Sequence, residues 1–213
     1  MKSILIIGLG RFGRHMAEKF MEDGHEVLAI DKNEDRADDA VGSIQQILIG
    51  DATDDRFMEG LGIPNFDLVV IAVADNFQTV LEITVLLEDL GCKYLIARAT
   101  TEVHKKLLLR NGADYVVYAE RQLAEHLAIK FGADNIFDFV ELTPEIGIYE
   151  VAVPEKWCGK SIIDLAIRSK YHVSIVATKI NNKVFPLPHP NYVFTGEETI
   201  MVMGNEEDVK SLK

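Results

Sequence analysis

The stretch Ile4-Leu5-Ile6-Ile7-Gly8-Leu9-Gly10-Arg11-Phe12-Gly13 constrains this chain more than any other. Consecutive apolar residues read as a buried strand, and they break into G-x-G-x-x-G. Glycines in that order serve a tight turn and let backbone come close to a phosphate. The N–H groups of the helix that follows point at that phosphate, and the helix dipole favours an anion. A strand precedes the motif, a helix follows it, and an acid, Asp31, stands further on. With all three present the pattern is far more specific than the glycines alone.

Residues 11–23 read as a helix, with Phe12, Met16 and Phe20 on one apolar stripe and Gly24 as its stop. Strands are expected at 26–30, 46–49, 67–73, 94–97 and 115–118, and helices at 33–41, 76–90, 101–111 and 120–131. Thr53 is the expected N-cap of a helix whose first turn holds Asp54 and Asp55. This alternation predicts an α/β fold: a Rossmann-type doubly wound parallel sheet with strand order 3-2-1-4-5-6. Helices cover both faces, crossovers are right-handed, and a ligand crevice lies at the carboxyl ends of the strands.

Past residue 135 the pattern changes. Strands are expected at 147–153, 172–180 and 199–203, short helices at 161–170 and 205–212, and a hairpin turn at Asn181-Asn182. Pro186, Pro188 and Pro190 mark a loop. The expectation is a nucleotide-binding domain over 1–135 and a small α+β domain over 136–213, within the usual size range of domains.

Composition bounds what such a chain can do. Lys and Arg number 22 against 34 Asp and Glu, a formal charge of -12. That argues against a nucleic-acid partner, which would demand clustered cations. Cys92 and Cys158 are isolated and without metal-like spacing, and no signal peptide is recognisable. Both observations point to a reducing cytoplasm. The apolar runs are too short to cross a bilayer, so any action at a membrane goes through a partner.

Several residues are candidates for the crevice. Asp31, at the end of the second strand, is placed to accept ribose hydroxyls and to repel a 2′-phosphate. Asp51, Ala52 and Thr53 end the third strand and wall an adenine pocket, with helix capping as the alternative role. Ala74, at the end of the fourth strand, falls near the phosphates, where Asp75 is alternatively an N-cap. Arg98 ends the fifth strand and either reaches the nucleotide or pairs with an acid. Arg11 stands in the first turn of a helix, where the dipole disfavours a cation. A further phosphate, as in ADP or ATP, reverses that penalty and suits a guanidinium fork. Glu120 opens a helix, where an acid is favoured for structural reasons alone; the functional reading is a ligand for a divalent cation.

Taken together, IIGLGRFG at 6–13, GHEVLAID at 24–31, GDATD at 50–54, the GAD-Y-V-V run at 112–117 and SIIDLAIRSKY at 161–171 resemble the regulator-of-potassium-conductance (RCK) family. The likeness is to its Ktr/Trk-type potassium-uptake regulatory subunits and covers both domains in order. It implies a first domain that binds ATP, ADP or NAD(H), held by Gly8, Gly10, Phe12, Gly13, Asp31 and Lys32, with Arg11 on the terminal phosphate. It implies a divalent cation (Mg2+ or Ca2+) at Glu120. It implies a homodimer that assembles into an octameric ring, docked at the cytoplasmic face on a membrane potassium transporter. For the second domain it implies dimerisation and a cyclic di-AMP pocket formed by Ile162, Ile163, Arg168, Tyr171, Ile175, Val176 and Pro190.

The competing reading is an NAD-dependent oxidoreductase. That needs a substrate domain carrying a proton donor or acceptor within reach of the nicotinamide. The six histidines form no constellation with Arg and Asp in the second domain, and that domain is small for a substrate domain. A metabolite-sensing transcription factor ranks lower still, because no helix-turn-helix is recognisable.

Overall fold

The structure is a computed structural model, and it describes residues 1–73, 76–132, 135–143 and 145–212. It divides into two compact units, Met1–Arg121 and Gln122–Lys213. The division falls inside a helix, so most of that helix, expected to belong to the first domain, packs with the second unit.

The first unit is built on a six-stranded parallel sheet in the order 3-2-1-4-5-6. Its strands are β1 (Ser3–Ile7), β2 (Glu26–Asp31), β3 (Gln46–Ile49), β4 (Leu68–Ile71), β5 (Leu95–Arg98) and β6 (Tyr115–Val117). Side-chain alternation explains why the sequence reads as apolar runs. Leu5, Ile7, Val69, Ile71, Leu95 and Ala97 enter one core, whereas Ile4, Ile6, Val70 and Ala72 enter another on the opposite face. A strand buried on both faces has no polar positions to spare.

Helix α1 (Arg11–Glu22) covers the second of these cores with Phe12, Met16, Ala17 and Phe20, the stripe expected from fourfold spacing. Helix α2 (Glu34–Asp38) packs there through Ala37. On the other face lie α3 (Asp55–Gly60), α4 (Phe77–Asp89) and α5 (Glu102–Arg110), contributing Met58, Val80, Ile83, Leu87 and Leu108. Side chains cap the helices: Asn33 accepts from the Arg36 N–H, Asp54 from Phe57, Asn76 from Gln78 and Thr101 from His104. The α3 cap is thus Asp54, not Thr53. The Asp54 carboxylate accepts the Phe57 N–H, and Thr53 is instead held by Asp51.

Helix α6 (Ala119–Gly132) follows β6. The second unit contains a five-stranded antiparallel sheet, order β10-β9-β11-β8-β7. These strands are β7 (Ile136–Glu141), β8 (Gly147–Ala152), β9 (Ser174–Ile180), β10 (Lys183–Pro186) and β11 (Thr199–Gly204). Strand β7 was not expected. The β9–β10 hairpin was, and Asn181 and Asn182 both adopt positive φ there, 48° and 62°. The expected helix over 161–170 is two: α7 (Ile162–Leu165) and α8 (Ile167–Tyr171), broken at Ala166 with φ 47°. A final helix, α9 (Glu206–Lys210), is capped by Asn205. The core of this unit gathers around Trp157, Phe194, Ile200 and Val202.

Candidate functional site

The three glycines after β1 do three different jobs. Gly8 has φ +101°, and a Cβ there would lie 2.8 Å from Val73 Cγ2. Gly13 sits where α1 crosses the turn, and a Cβ there would lie 1.9 Å from the Gly8 carbonyl oxygen. A Cβ on Gly10 would meet no protein atom within 4 Å. The first two are demanded by the fold. The third has open space around it and lies on the crevice.

Asp31 is buried, and it clamps this turn. Its Oδ2 accepts the Leu9 N–H at 2.7 Å and its Oδ1 accepts the Asn33 N–H at 2.9 Å, with Arg36 Nη1 3.9 Å from Oδ2. A carboxylate has about four acceptor positions, so both protein bonds leave capacity for a ribose hydroxyl.

Around the turn the crevice forms two adjoining compartments that share Gly8, Arg36 and Val73. The first, of about 240 Å³, is walled by Asp31, Lys32, Asp51 and Ala52, with Ile30, Asn76 and Thr79 completing it. Thr53 does not line it; its backbone N–H and hydroxyl both bond Asp51 and hold that carboxyl below the usual carboxylate range. The second, of about 390 Å³, is lined by Gly8, Gly10, Arg11 and Phe12, and also by Arg14, Arg36 and Arg98. In a chain of net charge -12 this is a local basin of four guanidinium groups, accompanied by Asp39. Arg14 donates to the Asp39 carbonyl oxygen at 3.1 Å, and Arg11 makes no hydrogen bond or ion pair among the described residues.

Arg98 pairs with an acid and also faces the basin. It lines the basin with its guanidinium 5.4 Å from the Phe12 ring centroid, and it bonds Glu120 through Nη2 to Oε1 at 2.5 Å. Its buried Nε–H has no acceptor among the described residues, an arrangement that costs about 1–3 kcal/mol. The Glu120 carboxyl is lowered below its ordinary value, first by its own backbone N–H and then by Arg98. Among the described residues no three His, Cys, Asp or Glu groups converge to hold a metal. Ala74 and Asp75 lie outside the described residues. Arg36, Asn33 and Thr79 carry no signal in the sequence; Asn76 falls in the sequence with Ala74 and Asp75 at the expected end of the fourth strand, and Arg14, one helical turn from Arg11 and expected to be solvated, instead lines the basin.

In the second unit, Ile162, Ile163, Arg168, Ile175 and Pro190 come together in an open groove of about 530 Å³, joined by Ala166, Ser174 and Pro188. Tyr171 and Val176 do not line it. Tyr171 packs on Trp157 with ring centroids 5.0 Å apart. Val176 falls at a register shift between β9 and β11, and its carbonyl accepts the Leu187 N–H.

A Rossmann-type domain with this glycine turn, followed by a small antiparallel-sheet domain, defines the architecture of RCK-type proteins. The TrkA-N domain model matches residues 4–119 and the TrkA-C domain model residues 147–213. The chain belongs to this TrkA family of two-domain proteins. It is 34% identical over 208 residues to Ktr system potassium uptake protein C of Bacillus subtilis, covering 98% of this chain and 94% of that protein. It is 32% identical over 209 residues to Ktr system potassium uptake protein A of the same organism, with the same coverage. Among solved structures, a GsuK channel bound to NAD matches 98% of this chain with a TM-score of 0.68 at 21% identity. This chain spans 38% of that channel chain, and the likeness is one of fold.

Proposed function

We propose that this chain is a non-catalytic, nucleotide-sensing regulatory subunit of a bacterial potassium uptake system. Relatives matched over 94% of their own length are potassium uptake proteins, and among the described residues no constellation of acid, base and nucleophile lines the crevice. The observation that carries the reading is the pairing of compartments: a carboxylate-walled pocket beside a basin of four arginines. The first suits an adenosine and the second a phosphate chain. ATP and ADP are the favoured ligands, because Arg11 is an uncommitted cation at a helix N-terminus; NAD(H) is the alternative. Glu120 supplies one oxygen toward a divalent cation, whose remaining ligands would come from the nucleotide.

The groove of the second unit, with its apolar floor and Arg168, is proposed for cyclic di-AMP. Leu123, Leu127 and Phe131 are exposed at fourfold spacing along α6, which supports self-association into a homodimer and from there an octameric ring. No described helix is long and apolar enough to cross a membrane, in keeping with peripheral attachment at the cytoplasmic face through a transporter subunit.

Mass spectrometry of the nucleotide retained by the purified protein tests the first assignment. ATP or ADP is expected, and a retained NADP would contradict it. For the second, calorimetry with cyclic di-AMP should give heat with the wild type and at least tenfold weaker binding with Arg168→Ala. No heat from the wild type rejects the groove.

A further inference from the structure

Arg98 and Glu120 are unequal partners. The Arg98 side chain is 21% exposed and that of Glu120 60% exposed. Arg98 also carries a buried Nε–H that Glu120 does not bond and that has no acceptor among the described residues. A guanidinium stays charged at any physiological pH and presents its donors as a rigid fork. The fork is here only partly used, and it lies in the basin that also holds Arg11. A phosphate offers more charge and more acceptor oxygens than one carboxylate oxygen. Of the two present partners, Glu120 is the one that water can take over at little cost.

We propose that Arg98 determines specificity for phosphate-chain length by exchanging partners: a phosphate that reaches the basin replaces Glu120 on the guanidinium. A nucleotide too short to reach leaves the Arg98–Glu120 pair intact. Glu120 stands in the first turn of α6, the helix in which the chain passes from the first compact unit to the second. The exchange therefore marks α6 according to what the basin holds. This inference rests on the nucleotide reading above.

The test is a double-mutant cycle on the full chain, measuring adenosine, AMP, ADP and ATP affinities with EDTA present so that no cation bridges Glu120. Removing the competitor with Glu120→Gln should tighten ATP at least fivefold and leave adenosine within twofold. In an Arg98→Met background, which keeps a long stem over Phe12, the gain should fall below twofold. Through-space repulsion by Glu120 gives the same gain in both backgrounds, and that result overturns the exchange. Arg98→Gln is the second background if Arg98→Met does not fold. A wild type that binds none of the series refutes the nucleotide reading. A wild type that binds it, with ATP affinity unmoved by Glu120→Gln, refutes the exchange alone.

Discussion

Gly10 and Gly13 differ by one steric fact. A side-chain methyl at Gly13 runs into the Gly8 carbonyl, and one at Gly10 runs into nothing of the protein. Gly13→Ala should therefore destabilise the first unit by at least ~2 kcal/mol, the cost of overpacking where backbone cannot yield. Gly10→Ala should fold, losing no more than ~1 kcal/mol at the N-cap, while nucleotide affinity drops tenfold or more. Denaturant unfolding and a binding titration on the two variants check this, and a Gly10→Ala protein with wild-type affinity contradicts the close-approach role. Asp31 carries the complementary lesson. Its position at the end of β2 was legible in the sequence. Its clamp on the Leu9 N–H was not, because that bond closes between segments that only folding brings together.

At the scale of elements, the first unit was readable because both faces of its sheet are buried. The sequence of β1 or β4 is then a plain apolar run, and β1 ends where the Gly8 turn begins. Strand β7 escaped notice for the opposite reason. Its IFDFVE alternates poorly, Phe137 and Val140 are exposed, and it exists through its pairing with β8. The break between α7 and α8 falls at Ala166, a residue with no intrinsic preference for positive φ. The arginine basin was half legible: Arg11 and Arg98 were named, but Arg36 arrives from α2 and could be placed only by the fold. The turn before β11 is held by Glu198, a buried carboxylate that accepts the Thr195 N–H and hydroxyl and the Tyr192 hydroxyl. Burial pushes its carboxyl up, but these donors outweigh it and the net shift is downward. A carboxyl lowered on folding stabilises above its unfolded value of about 4.3 and loses that contribution as pH falls through its folded value. Glu198→Gln should cost about 2 kcal/mol at pH 7 and much less at pH 3. Unfolding at the two pH values measures this; an equal loss at both contradicts the ionised role.

For the whole molecule, the charge distribution is the feature that ties fold to function. A strongly acidic chain concentrates four guanidinium groups beside one glycine turn. On the proposed reading such a basin admits nucleotides that the acidic surface would otherwise repel, and the terminal phosphate is what distinguishes one adenine nucleotide from the next. Only differential affinity moves a conformational equilibrium, so discrimination has to reside where ATP and ADP differ. Arg11, without a partner among the described residues and set against the helix dipole, is placed for it beside Arg98. Most direct is calorimetric titration of ATP and ADP into wild type and Arg11→Ala. The account predicts that the wild type prefers ATP and that Arg11→Ala lowers the ATP-to-ADP affinity ratio at least fivefold, with ADP affinity nearly kept. A ratio unchanged by the substitution would contradict it.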